Sequence, residues 1–357
     1  MASEVAAPVL GRGVRTTLRY ALGAAAGLVI LLLLAGKRGE LAAAWHQLGS
    51  VSPGWVAAAV GAESLSLLAF AWLQHRVLRL SGAPAAMAGL FLLALANDAI
   101  SLTVPGEPAV SSAYRYRYYR RRGASGASAG WTIFTMIIAQ AIGMALLLLL
   151  SVVVALAAST SDVGAGLTVL GLMIVIFAGA LLVRRDLVLR LAAAAIRVLQ
   201  RFTGYPGGRV GARIEATLTR MREIPLSKPA TAGVVAIAIS VWCGDFLCLI
   251  CSFRAVHAAI PWHGVLLAYG VAQVVGSFPV VPGGLGIVEG SLAVILVFYG
   301  AGRVPAVSAT LAFRAVNFWL AIIIGWLSVA VIAQLARRER RLTDPQAPAE
   351  LAGEADA

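Results

Sequence analysis

Val281-Pro282-Gly283-Gly284-Leu285-Gly286-Ile287-Val288-Glu289 puts a Pro-Gly-Gly break and a carboxylate between two apolar runs. Those runs are long enough to reach the middle of a bilayer, where both features are unfavourable. Lipid cannot hydrogen-bond freed backbone groups, so a break at that depth survives only when it is buried in protein or lines a wet cavity. An ionisable residue at that depth is a functional-site candidate by default. A tight loop between two helices at the membrane surface would give the same local sequence. A second, related break elsewhere in the chain favours the first interpretation.

The chain has 357 residues, of which 60% are hydrophobic and 13% charged. Its mean hydropathy is +0.87. These values exclude an ordinary soluble globule and indicate a polytopic helical membrane protein. The net charge of +13 is almost all arginine, since lysine occurs only at Lys37 and Lys228. The arginines sit in short loops beside apolar runs, where the positive-inside rule accounts for them, so no nucleic-acid partner is expected. Cys243, Cys248 and Cys251 fall in one apolar run with no His, Asp or Glu arrangement to complete a metal site. They read as small buried hydrophobes, and neither a metal nor a disulfide framework is expected. Arg12, Arg15 and Arg19 precede the apolar run Tyr20–Gly36, and Lys37-Arg38 follows it directly, which suits an uncleaved anchor.

A 20-residue ruler places apolar helices at about 20–36, 54–75, 85–104, 129–157, 164–183, 229–253, 264–281, 286–299 and 305–335. Segment 286–299 is too short to span. Segment 107–122 is too polar, with its run Tyr114-Arg115-Tyr116-Arg117-Tyr118-Tyr119-Arg120-Arg121-Arg122. The basic N-terminus, Arg76 and Arg79, and the Arg115–Arg122 cluster all belong inside. The chain between the last two must therefore enter the membrane and return to its own side, turning at Val104-Pro105-Gly106.

Residues 184–228 hold ten Arg or Lys and also lie inside, as does the Arg337-Arg338-Glu339-Arg340-Arg341 tail. Segment 264–299 then starts and ends outside, forming a second dip that turns at Pro282-Gly283-Gly284. The two dips enter from opposite faces and share the tripeptide Val-Pro-Gly. In each, a glycine follows the proline by 18 residues (123 − 105 and 300 − 282). The expected architecture is all-α, with about six full spans and two oppositely oriented re-entrant dips in an inverted-topology repeat. Its halves run over about 54–157 and 229–336, between a cytoplasmic N-terminus at 1–19 and a disordered cytoplasmic tail at 337–357. Segment 185–202 carries arginine and leucine stripes suited to lying on the inner membrane surface.

Glu63, Asp98, Glu107, Asp245, Glu289 and Arg314 fall inside the membrane on this layout. Arg314, about nine residues into the last span, needs a carboxylate or an anionic ligand, and Glu289 and Asp245 are its expected partners. An ion pair that only locks helices together would satisfy it equally well. Gly283, Gly284 and Gly286 let backbone approach a ligand closely. A half-helix starting near Leu285 would point its positive end at a phosphate, and Glu289 in the first turn could cap it instead. A simple turn needs one glycine at positive φ, so alanine at Gly284 or Gly286 should be structurally mild and obstruct only a ligand. Trp242, Trp262, Trp319 and Trp326 and the tyrosines at 114, 116, 118 and 119 read as interfacial belts.

Pro282-Gly283-Gly284-Leu285-Gly286-Ile287-Val288-Glu289, followed by Gly300 and Phe313-Arg314, resembles the hallmark of the lysylphosphatidylglycerol synthase transmembrane, flippase-like family. Val104-Pro105-Gly106 with Gly123 is similar to that family's weaker first-half motif, with Glu107-Pro108 in place of small residues. The resemblance covers about residues 20–335. It implies translocation of phospholipid and carries over the membrane part, not aminoacyl-lipid synthesis. The resulting expectation is a non-enzymatic, cofactor-free translocase of an anionic phospholipid or polyprenyl phosphate in a bacterial cytoplasmic membrane. Both termini would be cytoplasmic, and an oligomer is compatible with the sequence. Its headgroup site would use Pro282, Gly283, Gly284, Gly286, Glu289, Arg314 and Asp245, with Pro105, Gly106 and Glu107 as first-half counterparts. A membrane-embedded lipid-linked transferase and a non-transporting scaffold of cell-envelope assembly are the alternatives.

Overall fold

A computed structural model describes residues 51–84, 86–104, 107–158, 227–277 and 282–343. Every regular element among them is helical: α1 (Pro53–Leu80), α2 (Met87–Thr103), α3 (Glu107–Arg121), α4 (Gly126–Ala158), α5 (Lys228–Ala255) and α6 (Val265–Gly276). A one-turn 3-10 segment, Pro282–Gly284, precedes α7 (Ile287–Phe298) and α8 (Arg303–Arg314). A π-helical segment, Ala315–Leu320, joins α8 to α9 (Ala321–Thr343) without a break. Four helices are long and apolar enough to cross a bilayer: α1, α4, α5 and the continuous α8–α9. α2, α6 and α7 are apolar but shorter. The chain is thus an all-α, multi-pass membrane protein. The expected spans at 20–36 and 164–183, the surface helix at 185–202 and the turn at Pro105-Gly106 lie outside the described residues.

α1 and α5 form the most extensive helix pair and run antiparallel. Ser52 N–H donates to the Ala255 carbonyl at 2.9 Å at one end of the pair. Further along, Ser66 Oγ donates to the Val241 carbonyl at 2.8 Å. A methyl on Gly244 would lie 2.9 Å from Ser66 Cβ, so the missing side chain permits this approach. The other main pairs also close on small residues. Gly325 of α9 abuts the Leu95 carbonyl and Ala99 of α2, and Gly270 of α6 abuts Leu148 of α4. Lipid is as apolar as leucine, so helices gain from association through such close backbone packing.

Four helices end in the same way. The N–H groups of Ala83, Ala124, Ala258 and Ala301 reach back five residues, to the carbonyls of Leu78, Tyr119, Phe253 and Leu296. The residue before each alanine has positive φ: Gly82, Gly123, His257 and Gly300. These are Schellman caps, which close off carbonyls that lipid could not satisfy. The caps of α1 and α5 match each other, and so do those of α3 and α7.

α3 is the polar segment that looked unable to span, and it packs on α2 and α4. Tyr119 is buried rather than interfacial, its hydroxyl donating to Gln74 Oε1 of α1 at 2.8 Å. Trp262, Trp319 and Trp326 are exposed. Cys248 and Cys251 are buried, whereas Cys243 is exposed.

Candidate functional site

The second helix break meets the end of α2. α2 ends at Thr103, Val104 is extended, and α3 starts at Glu107. Opposite it, α6 ends at Gly276 and α7 begins at Ile287 after the Pro282–Gly284 turn. The Leu102 carbonyl, near the end of α2, lies 2.8 Å from where a methyl on Gly283 would stand. Gly283, Gly284 and Gly286 all have positive φ, at 60°, 62° and 79°. The space beside Gly283 is filled by Phe318 and that carbonyl, and the space beside Gly284 by Val288 and the Gly276 backbone. The expectation that alanine would be mild at Gly284 or Gly286 therefore fails, because all three positions disfavour an L side chain.

Arg314 ends α8 beside this turn and is 4% exposed. Its Nε donates to Glu289 Oε1 at 2.7 Å, and Nη2 donates to the Gly283 carbonyl at 2.9 Å. Its guanidinium lies 4.2 Å from the centre of the Phe318 ring. The other Glu289 oxygen, Oε2, accepts from Gly286 N–H at 2.6 Å and so caps α7. One carboxylate thus joins the helix start to the buried arginine, meeting both expectations for Glu289. The π segment begins immediately after Arg314, and such insertions often accompany functional positions. Arg314, Asn317 and Phe318 stand three and four residues apart and share a helix face.

Asp245 is not the hydrogen-bonded partner of Arg314, although it feels that charge. It is 5% exposed and anchors a second cluster. Its Oδ2 accepts from the Tyr269 hydroxyl at 2.6 Å and from Gln273 Nε2 at 2.8 Å. Oδ1 accepts from Asn317 Nδ2 at 2.6 Å. Glu63 of α1 lies 3.5 Å from the same Asn317 nitrogen. Asn317 therefore connects the Arg314 face to the Asp245–Glu63 cluster.

Gly283, Gly286, Glu289 and Arg314 thus come together as the sequence suggests, and Gly284 is buried packing beside them. Pro282 contributes to the turn backbone. Of the first-half counterparts, Pro105 and Gly106 lie outside the described residues, and Glu107 starts α3. Sequence reasoning left Glu63, Tyr269, Gln273, Asn317 and Phe318 out of the site. Two signals were present: Tyr269 and Gln273 are a polar i, i+4 pair within apolar α6, and Asn317 is three residues beyond Arg314. Among the described residues, no group of three or more His, Cys, Asp or Glu could hold a metal.

A curated relative, a UPF0104 membrane protein of Methanothermobacter thermautotrophicus (strain ATCC 29096 / DSM 1053 / JCM 10044 / NBRC 100330 / Delta H), is 28% identical over 145 residues. That match covers 39% of this chain and 42% of the relative, so the chain spans less than half of that protein's length. A family model described as the lysylphosphatidylglycerol synthase TM region matches residues 18–325. That match takes in both helix breaks and Arg314, and the chain belongs to the lysylphosphatidylglycerol synthase transmembrane-region family.

Proposed function

We propose that the chain translocates a phosphate-bearing lipid across a bacterial cytoplasmic membrane, with both termini cytoplasmic. One observation carries this: a buried guanidinium stands where the second helix break touches the end of α2, held by a carboxylate that a phosphate could replace. A headgroup phosphate presents the same oxygen fork as Glu289 and suits a planar guanidinium. When phosphate takes Arg314, Glu289 keeps its bond to Gly286 N–H, so the turn stays capped. Phe318 continues to hold the guanidinium face by cation–π attraction.

The arrangement of helices supports an inverted repeat around this site. α1 and α5 would be equivalent elements, and they run antiparallel. Ser66 and Val241, which bond across the pair, are 175 residues apart. The matched caps at Ala83 and Ala258 have the same offset (258 − 83). Those at Gly123 and Gly300 differ by 177 (300 − 123), as do the two prolines (282 − 105). Two inverted halves with broken helices meeting centrally suit alternating access to one site. Acyl chains need no polar path. A groove of about 590 Å³, lined by Ala58, Gly61, Leu65, Leu68, Phe91 and Leu247, is apolar and open, and no residue of the charged cluster lines it.

Liposomes holding the purified protein and labelled phosphatidylglycerol, phosphatidylcholine or polyprenyl phosphate provide the test. Movement of at least one of these lipids is expected in wild type and at background level in Arg314→Leu. Equal movement in both proteins would refute the proposal.

A further inference from the structure

The Arg314 site leaves two buried carboxyl groups unused, Glu63 on α1 and Asp245 on α5. Glu63 is 8% exposed. Its Oε2 faces no hydrogen-bond donor. Its Oε1 has only the Asn317 amide, at 3.5 Å, and that nitrogen is 2.6 Å from Asp245. Asn317 Nδ2 thus stands between the two carboxyls and brings them side by side. We infer that Glu63 and Asp245 share one exchangeable proton, a binding site separate from the headgroup contacts of Arg314.

Donor counting identifies the acid. Asp245 accepts from Tyr269, Gln273 and Asn317, so both its oxygens are satisfied as a carboxylate. Glu63 is short of a donor at Oε2 and lies against a second carboxyl. Two ionised carboxyls in contact, shielded from water, repel each other strongly, and a single proton removes that repulsion. The same proton supplies the missing donor, with the Glu63 acid hydroxyl donating to Asp245. Among the described residues neither carboxyl makes an ion pair, although Asp245 feels the charge of Arg314. On α2 the facing charged group is Asp98, a further acid. On α5 the titratable neighbour is the buried Cys248 thiol, which carries no positive charge. α6 offers Tyr269 and Gln273, both engaged with Asp245. Arg314 at the end of α8 is held by Glu289 of α7. On water entry, the Glu63 O–H bond breaks, the proton leaves on water and the electron pair stays on the carboxylate. Asn317, which bridges to the face of Arg314, links this step to the neighbouring site. If the translocase proposal holds, this proton is the ion that couples lipid movement to a pH gradient; the proton site itself does not depend on that proposal.

Infrared spectroscopy of the full-length protein in phosphatidylcholine liposomes tests the assignment. Wild type should show one buried carboxylic-acid C=O band that moves down in D2O and disappears reversibly at alkaline pH. Labelling with [13C]glutamate should shift that band, which identifies a glutamic acid without any substitution. Glu63→Gln should abolish it, while Glu339→Gln, at an exposed position on α9, should retain it. Absence of the band in wild type overturns the inference, as does a band indifferent to [13C]glutamate. So does a band removed at fixed pH by sodium chloride and not by choline chloride, which would assign the pair to sodium. A protein that holds this proton and moves no lipid refutes the translocase proposal alone.

Discussion

Arg314 has three kinds of contact at once: a carboxylate, a backbone carbonyl and an aromatic face. Lysine can keep the charge but not that geometry, because an ammonium has no planar fork and stacks poorly. Arg314→Lys should therefore lower translocation at least about tenfold, roughly 1.4 kcal/mol of barrier. Wild-type rates in Arg314→Lys would mean that charge alone is used. Arg314→Leu poses a separate question, because it strands Glu289. Breaking a buried pair from one side costs about 3–5 kcal/mol. The Glu289 side chain is 22% exposed and keeps its bond to Gly286, so the lower end of that range is expected. Adding Glu289→Gln to Arg314→Leu should recover most of that loss in detergent unfolding and recover no lipid movement. If the double variant also moved lipid, the pair would be a helix clamp and the headgroup role would fall.

The turn between α6 and α7 is more demanding than a generic break. Three glycines take left-handed φ within four residues, and protein fills the space beside two of them. Gly283→Ala and Gly284→Ala should each destabilise by about 1–3 kcal/mol from backbone strain alone. Gly283→Ala should cost more, since its methyl meets a carbonyl that cannot withdraw. Gly290, inside α7 with open space around it, provides the contrast. Gly290→Ala should be neutral or stabilise by up to about 1 kcal/mol through helix propensity. Thermal unfolding of the three variants in one detergent decides this, and equal midpoints would mean the turn tolerates side chains. The existence of this element was legible, because Pro-Gly-Gly in an apolar run has few lipid-compatible readings. Its conformation was not. Which glycines turn left-handed depends on Phe318 and Leu102, which are distant in sequence, and the π segment at Ala315–Leu320 has no local signature. Asp245 was legible as a buried charge, but its partners were not, because three helices bring them together.

At the scale of the whole molecule, hydropathy located every apolar helix among the described residues, since a 20-residue apolar ruler reports bilayer thickness directly, and it passed over the polar α3. Its errors were at the ends. α1 runs to Leu80 because Arg76 and Arg79 continue the helix past the apolar run, and α6 stops at Gly276 ahead of the Pro282 turn. Arginine placement adds an expectation that hydropathy cannot, the side on which each loop should lie. The antiparallel α1–α5 pair and the matched caps give independent support for opposed halves. Opposed halves put the caps of α3 and α7 on opposite sides of the membrane. That distinction is testable without a transport assay. In a protein with Cys243, Cys248 and Cys251 changed to serine, a single cysteine is introduced at Ser125 or at Ala301. Neither position is in a helix interior, so the fold should survive both changes. In sealed, right-side-out vesicles a membrane-impermeant maleimide should label Ala301→Cys at once. It should label Ser125→Cys only after the vesicles are opened. The reverse pattern would turn the protein over and leave the repeat intact. Labelling of both cysteines from one side would place α3 and α7 on the same face, and inverted halves around a central site would then be untenable.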